Sequence, residues 1–235
     1  IHLQGTGGGK SFSHGVIINS PVTTNDGTIT LIGIGGADAA AQYGSYGVEI
    51  VGTVTAGNGK AIIVQGTAGS STGLFNAGVY IGVADALSST TSGTIQVTGI
   101  EGGSGTGILM ESEGSISTLT NGGNITLITN SLDMSGTSAI STNTASSVTL
   151  RPYTNGVGVD LGASSNTLGG PLSLTDAELD RITAGTINVG NTNSGVITVS
   201  AAINRAVNTT FNLTSGGTVD LNASSLNTNG GILNI

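Results

Sequence analysis

The sequence predicts an all-β chain wound into a parallel β-helix, a solenoid with three short strands in each coil. Three observations predict it. A phrase made of a glycine and then alternating apolar and small polar residues recurs at a long period. A second phrase keeps step with it. The composition is that of a narrow, strand-built core: the 235 residues include 41 Gly, no Cys, no Trp, 3% aromatic and 8% charged residues, where a typical domain has about 25% charged. Disorder needs low hydrophobicity and high net charge, whereas 37% of this chain is hydrophobic, with Val, Ile and Leu in alternating runs.

Taken in chain order, the first phrase is Gly15-Val16-Ile17-Ile18. It returns as Gly47-Val48-Glu49-Ile50, Gly78-Val79-Tyr80-Ile81 and Gly107-Ile108-Leu109-Met110, spaced 32, 31 and 29 apart. A second apolar site follows each glycine, at Val22, Val54, Leu87 and Ile116. The third strand is Gly27-Thr28-Ile29-Thr30-Leu31, then Gly59 with Ile62 and Val64, Gly93-Thr94-Ile95-Gln96-Val97, and Gly123-Asn124-Ile125-Thr126-Leu127, spaced 32, 34 and 30. Strict alternation puts the apolar set on one face and Thr, Asn, Gln or Ser on the other. Gly, Asn and Asp between the strands supply the turns. Such a coil has a roughly triangular section and buries its inward residues only by stacking on the next. A propeller would need four strands in about 40–50 residues and more aromatics. A β-sandwich shares the turn spacing but not a phase-locked long repeat.

Beyond residue 180 the period contracts. Ile197-Thr198-Val199 answers to Val219-Asp220-Leu221, 22 on; Ile203 answers to Leu226, 23 on; Ile187 answers to Phe211, 24 on. The reading is one continuous solenoid in three stretches. Residues 1–172 have a coil period of about 30, a capped helix is inserted at 173–185, and residues 186–235 have a period of about 22–24. Both ends, Ile1-His2-Leu3 and Ile232-Leu233-Asn234-Ile235, read as strands rather than caps. A fragment, or a mature excised piece, of a longer repeat protein is therefore expected.

One segment breaks the pattern: Ser173-Leu174-Thr175-Asp176-Ala177-Glu178-Leu179-Asp180-Arg181-Ile182. Thr175 and Glu178 form a T-x-x-E capping box, and Leu174 with Leu179 fits the hydrophobic staple. Asp176 and Glu178 fall in the first turn, where the helix dipole favours carboxylates, and Gly185 is the expected stop. One short helix near 175–184 is predicted, laid against a face or corner of the solenoid.

That segment, continued by Thr183-Ala184-Gly185-Thr186-Ile187-Asn188-Val189-Gly190 and Ser194-Gly195-Val196-Ile197-Thr198-Val199, resembles a recurring module of very large secreted bacterial proteins of the filamentous haemagglutinin type. Tyr46-Gly47-Val48-Glu49-Ile50 and Gly93-Thr94-Ile95-Gln96-Val97-Thr98-Gly99 are similar to the strand repeats of the same giant adhesins. The resemblance implies a right-handed parallel β-helix, export to the bacterial cell surface, and a role in adhesion or matrix building.

Charge narrows the partners. The net charge is −8, and the five basic residues are Lys10, Lys60, Arg151, Arg181 and Arg205. They form no cluster that could neutralise phosphates, so no nucleic-acid partner is expected. No apolar run reaches the roughly 18 residues of a membrane span, so no membrane insertion is expected either. Without Cys there is no disulfide framework.

Enzymes built on parallel β-helices act on polysaccharides through clustered carboxylates. The thirteen acids here read as scattered. Counted from the leading glycine, Glu111 aligns with Val51 and Gly82, and Glu113 falls near Asp85 of the preceding coil, which predicts a solvated outer face and no acidic column. His2 and His14 read as turn or surface residues, and no G-x-S-x-G elbow occurs. Gly156-Val157-Gly158-Val159-Asp160-Leu161 is similar to the core of a calcium-binding nonapeptide, but it occurs once and lacks the Gly-Gly lead. Gly5-Thr6-Gly7-Gly8-Gly9-Lys10-Ser11 misses the phosphate-loop spacing. The sequons headed by Asn124, Asn208, Asn212 and Asn222 are those chance provides in an Asn-, Ser- and Thr-rich chain. No catalytic, cofactor-binding or metal-binding residue is assigned, and no cofactor is expected; calcium at residues 156–161 is the one alternative left open.

The predicted function is therefore mechanical: a non-enzymatic structural or adhesive segment of an extracellular surface protein or filament. Its expected partners are neighbouring repeats or further copies of the same protein, joined end to end at strand edges, and host or cell-surface glycans. The alternative is a carbohydrate-binding or polysaccharide-degrading β-helix, which predicts a groove lined by aromatic and acidic residues. The aromatics are Phe12, Tyr43, Tyr46, Phe75, Tyr80, Tyr153 and Phe211. Tyr46 and Tyr80, at different offsets in successive coils, are expected not to make a stacking platform.

Overall fold

The computed structural model describes residues 1–9, 12–37, 44–70, 76–118, 121–166, 168–221 and 224–235. It is all-β apart from one short helix, and every strand pairing among the described residues is parallel. The first sheet has nine strands, from His2–Thr6 to Leu233–Asn234. The second holds Val16–Ile18, Val48–Ile50, Ala77–Ile81, Thr106–Met110 and Leu132–Met134. The third holds Val22–Thr24, Val54–Ala56, Leu87–Ser89, Ser115–Thr118, Ala139–Thr142 and Ile182–Thr183. From residue 2 to residue 142 the chain visits the three sheets in fixed order, then returns to the first one strand further along. Long parallel sheets filled in this rotation are consistent with a parallel β-helix.

The apolar phrases stand in register. Ile29, Ile62, Ile95, Ile125, Val148, Ile187, Phe211 and Leu233 form one column of the first sheet. Val16, Val48, Val79, Ile108 and Leu132 form a column of the second. Val22, Val54, Leu87, Ile116, Ile140 and Ile182 form a column of the third. These columns meet in a single core cluster. A lone strand leaves its apolar side in water; stacking removes it, which stabilises by about 1.5–3 kcal/mol per large side chain.

Outward positions form polar columns. On the third sheet Thr23, Thr55, Ser88, Ser117, Ser141 and Thr183 stand one above the next. On the first, an amide ladder runs along the stack: Asn234 donates to Asn212 Oδ1 at 2.7 Å, Asn212 to Asn188 Oδ1 at 2.7 Å, and Asn188 to Thr149 Oγ1 at 3.2 Å. The leading glycines serve the corner between the first and second sheets. Gly33, Gly66 and Gly99 are in register, and each backs onto a glycine that opens the second sheet. A Cβ on Gly66 would stand 1.9 Å from the Gly78 carbonyl oxygen, so only paired glycines allow so close a backbone approach.

The repeat shortens earlier than the phrases predict. Ile95 opposes Ile125, 30 on, but Ile125 opposes Val148, 23 on, and Ile108 opposes Leu132, 24 on. The shorter period thus begins near residue 108 rather than at 186, and residues 1–172 are not uniform. The phrase hid this because Ser131 and Ser146 stand where Gly107 and Gly123 stood one pass before. The contracted spacings from Ile187, Ile197 and Ile203 are those of the structure.

One pass is longer: Val148 opposes Ile187, 39 on. Here the chain lays down Val159–Leu161, doubles back, and lays Leu172–Leu174 parallel beside it. The other edge of Val159–Leu161 pairs with Ile197–Val199. The helix follows at Asp176–Asp180, with the predicted capping box in place. It ends sooner than 184: Arg181 is its C-cap, and Ile182 is drawn into the third sheet against Ile140, fully buried. Gly185 therefore does not stop the helix. It lies between strands, where a Cβ would meet the Thr144 carbonyl oxygen at 1.8 Å.

Candidate functional site

The second sheet gathers charged and aromatic side chains that are far apart in sequence. Glu49, Tyr80, Leu109 and Asp133 form one outward column. The expectation for Tyr46 and Tyr80 is not met: their rings stack at 4.8 Å between centroids and 12° between planes, and His14 stacks on Tyr46 at 5.0 Å. The offsets do differ along the chain, but with glycine at 47 and 78 no side chain stands between the two ring positions. Gly82 completes the seat, because a Cβ there would lie 2.6 Å from Tyr80 Cε1.

The acids converge as well. Burial, then Glu111 and Glu49, raises the Tyr80 pKa, and the Tyr80 hydroxyl donates to the Glu111 carboxylate. Burial also pushes Tyr46 above its usual range, with Tyr80, Glu49 and Glu111 adding to it. Asp133 is raised by burial, then by Glu178 and Glu111, against the opposing pull of Arg181. The predicted alignment of Glu111 with Gly82 and Val51 follows from the register. What it missed are the diagonal neighbours, Tyr80 and Asp133. Writing the passes in register and comparing adjacent columns would have shown them. Asp85 lies elsewhere, at the third sheet, where its N–H donates to Ser115 Oγ at 2.7 Å.

His14 is not a simple surface histidine. Its Nδ1 accepts from the Tyr46 N–H at 3.0 Å, and its Nε2 lies 3.7 Å from Glu49 Oε2. The neutral ring therefore carries its proton on Nε2, facing the carboxylate. Burial lowers the His14 pKa below 6.5, and Glu49 offsets this only in part. With the folded pKa depressed, the unfolded chain binds the proton more readily. The stability from the neutral ring is complete above pH 6.5 and is lost as pH falls toward the folded value. The thermal midpoint should therefore drop as pH falls below 6.5, and His14→Gln should flatten that drop. An equally steep drop in the variant would remove His14 as its source.

The helix joins sheets that would otherwise end. Leu132–Met134 is the last strand of the second sheet. The Met134 N–H donates to Glu178 Oε1 at 3.1 Å, and its carbonyl accepts from Arg181 Nη1. Two side chains of the helix segment thus stand in for a neighbouring strand. Glu178 Oε2 closes the capping box on the Thr175 N–H and hydroxyl, both at 2.9 Å, and Asn166 Nδ2 donates to Oε1 at 3.1 Å. Ile182–Thr183 ends the third sheet in the same way, and Arg205 fills the gap: Nη2 donates to the Ile182 carbonyl at 2.7 Å, and Nη1 to the Leu179 carbonyl and to Asp180 Oδ1.

The stretch similar to a calcium nonapeptide is a strand entry: Val159–Leu161 lies between two parallel partners, with Asp160 opposite Ser173 and Thr198. Among the described residues no group of three or more His, Asp or Glu side chains is arranged to hold a metal ion. No helix among them is long and apolar enough to cross a membrane. Lys10, Ser11, Tyr43, Phe75 and Asn222 lie outside the described residues. No family model, no curated protein and no solved structure matches the chain.

Proposed function

We propose that this chain is a structural segment of an extracellular bacterial surface protein or filament, an adhesin of the filamentous haemagglutinin kind. On this reading it is a right-handed parallel β-helix of three strands per coil. It is not an enzyme; its output is a stiff shaft that holds other parts of the protein away from the cell. Neighbouring repeats and further copies of the same protein are its partners, together with surface glycans. The supporting observation is the nine-stranded parallel first sheet, which runs from residue 2 to residue 234 over stacked apolar columns, with Thr126, Thr149, Asn188, Asn212 and Asn234 in line on its outward side. Such a ladder repeats the same backbone bonds at every layer, so each layer is held by its two neighbours. Immunogold labelling of intact and sectioned source cells with antibody to the chain tests the reading. Label on the outer surface, along filaments, is expected; label confined to the cytoplasm would overturn it.

A further inference from the structure

The chain lacks the side chains that oxidise most readily. It has no Cys and no Trp, and both methionines are buried, Met110 fully and Met134 to within 4%. A one-electron oxidant is therefore left with the four tyrosines. The fold brings two of them together. The Tyr46 and Tyr80 rings, from successive coils, stack at 4.8 Å between centroids and 12° between planes. Both side chains are partly exposed. The strands beside them are locked in register, with Val48 opposite Val79 and Glu49 opposite Tyr80. The Tyr80 hydroxyl donates to the Glu111 carboxylate, so its proton has an acceptor in place when an electron leaves.

We propose that Tyr46 and Tyr80 are an oxidative cross-linking site, where a peroxide-driven one-electron oxidant of the haem-peroxidase class joins the two rings as bityrosine. Each phenol gives one electron to the oxidant and loses one proton, that of Tyr80 to Glu111 and that of Tyr46 to water. The two radicals then form one carbon–carbon bond between ring positions next to the hydroxyls. The hydrogens on those two carbons move to the ring oxygens, which restores both phenols. The chain loses two hydrogens in all, and one hydrogen peroxide becomes two waters. Joined rings keep their centres about as far apart as stacked ones, so coupling turns the rings from face to edge about side-chain bonds. In a chain without Cys no disulfide can do this work. The new bond staples one coil to the next and keeps the unfolded chain closed between residues 46 and 80. It goes beyond the shaft reading and does not rest on it, since the ring pair is the same whatever the chain is part of.

A haem peroxidase with hydrogen peroxide, applied to the dilute 235-residue chain, tests the proposal. Bityrosine fluorescence should appear, with a chain mass lower by two hydrogens and no dimer on a denaturing gel. Trypsin cuts after Lys60, between the two tyrosines, so a joined peptide pair carrying Tyr46 and Tyr80 should be found. The cross-linked chain should unfold at a higher urea concentration than the untreated one. Tyr46→Phe and Tyr80→Phe should each abolish the intrachain link with unchanged circular dichroism, while Tyr43→Phe and Tyr153→Phe keep it. Should a variant at 46 or 80 fail to fold, the peptide map of the parent chain still decides. Glu111→Gln should slow the coupling by about tenfold, and an unchanged rate there overturns its part as proton acceptor. The proposal is overturned if no intrachain link forms, if the link joins other tyrosines, if it survives in a folded Tyr46→Phe or Tyr80→Phe chain, or if it forms as fast in urea.

Discussion

Gly66→Ala should destabilise the chain by about 3 kcal/mol or more, near the top of what single substitutions do. The new methyl carbon would sit 1.9 Å from the Gly78 carbonyl oxygen and 2.6 Å from its carbon. Neither atom is the free end of a side chain. Gly66 pairs with Gly33 on one side and Gly99 on the other, so moving it breaks the first-sheet ladder in both directions. Gly8→Ala is the control: the nearest atom to its Cβ would be a Ser13 hydroxyl at 3.9 Å, and a change of about 0.5 kcal/mol or less is expected. Urea denaturation measures both. Equal effects would show that lost glycine flexibility, and not the corner contact, sets the cost.

Arg205→Ala should cost about 2–4 kcal/mol, mostly from the two carbonyls that lose a charged donor, at about 1–3 kcal/mol each, since the Asp180 carboxylate it also leaves is 37% exposed. Arg205 is 4% exposed and holds the Ile182 carbonyl, the Leu179 carbonyl and Asp180 together. Burial lowers its pKa, with Asp180 and Asp176 opposing, yet a guanidinium stays charged at any working pH. Its Nε is buried without a partner, so the site already tolerates one orphan donor. Without the side chain, two carbonyls of a helix end and a sheet edge are left dry and unpaired. Arg205→Lys should not rescue, because one ammonium cannot reproduce the two-pronged contact. Thermal unfolding gives the size, and hydrogen exchange gives the place: protection should fall first at Ile182 and Ile203. Uniform loss along the chain would instead mean that Arg205 acts on the whole stack.

The sequence displayed the repeat because each pass must hide its apolar residues on the next, and this forces Ile29, Ile62, Ile95 and Ile125 into phase. It displayed the helix start because capping is local chemistry. It concealed the helix end, since Ile182 leaves the helix for a partner, Ile140, that no local rule names. It concealed the early shortening because serines took over the glycine positions. The Tyr46, Tyr80, Glu111 and Asp133 gathering was hidden for a related reason. Alternation assigns a side chain to a face, but contact between columns depends on how far a side chain reaches along the stack.

The doubled strand has a consequence for shape. Between Leu132–Met134 and Ile197–Val199 the second face stacks Leu172–Leu174 and Val159–Leu161, where the first sheet stacks Ser147–Arg151 alone. The third face gains no such layer, since Ile182–Thr183 pairs directly with Ala139–Thr142. The extra strand therefore sits on one face only. Glu178 and Arg181, through Met134, and Arg205, through Ile182, tie its surroundings to the neighbouring sheets, so removing any one of the three should loosen the layer on that side first.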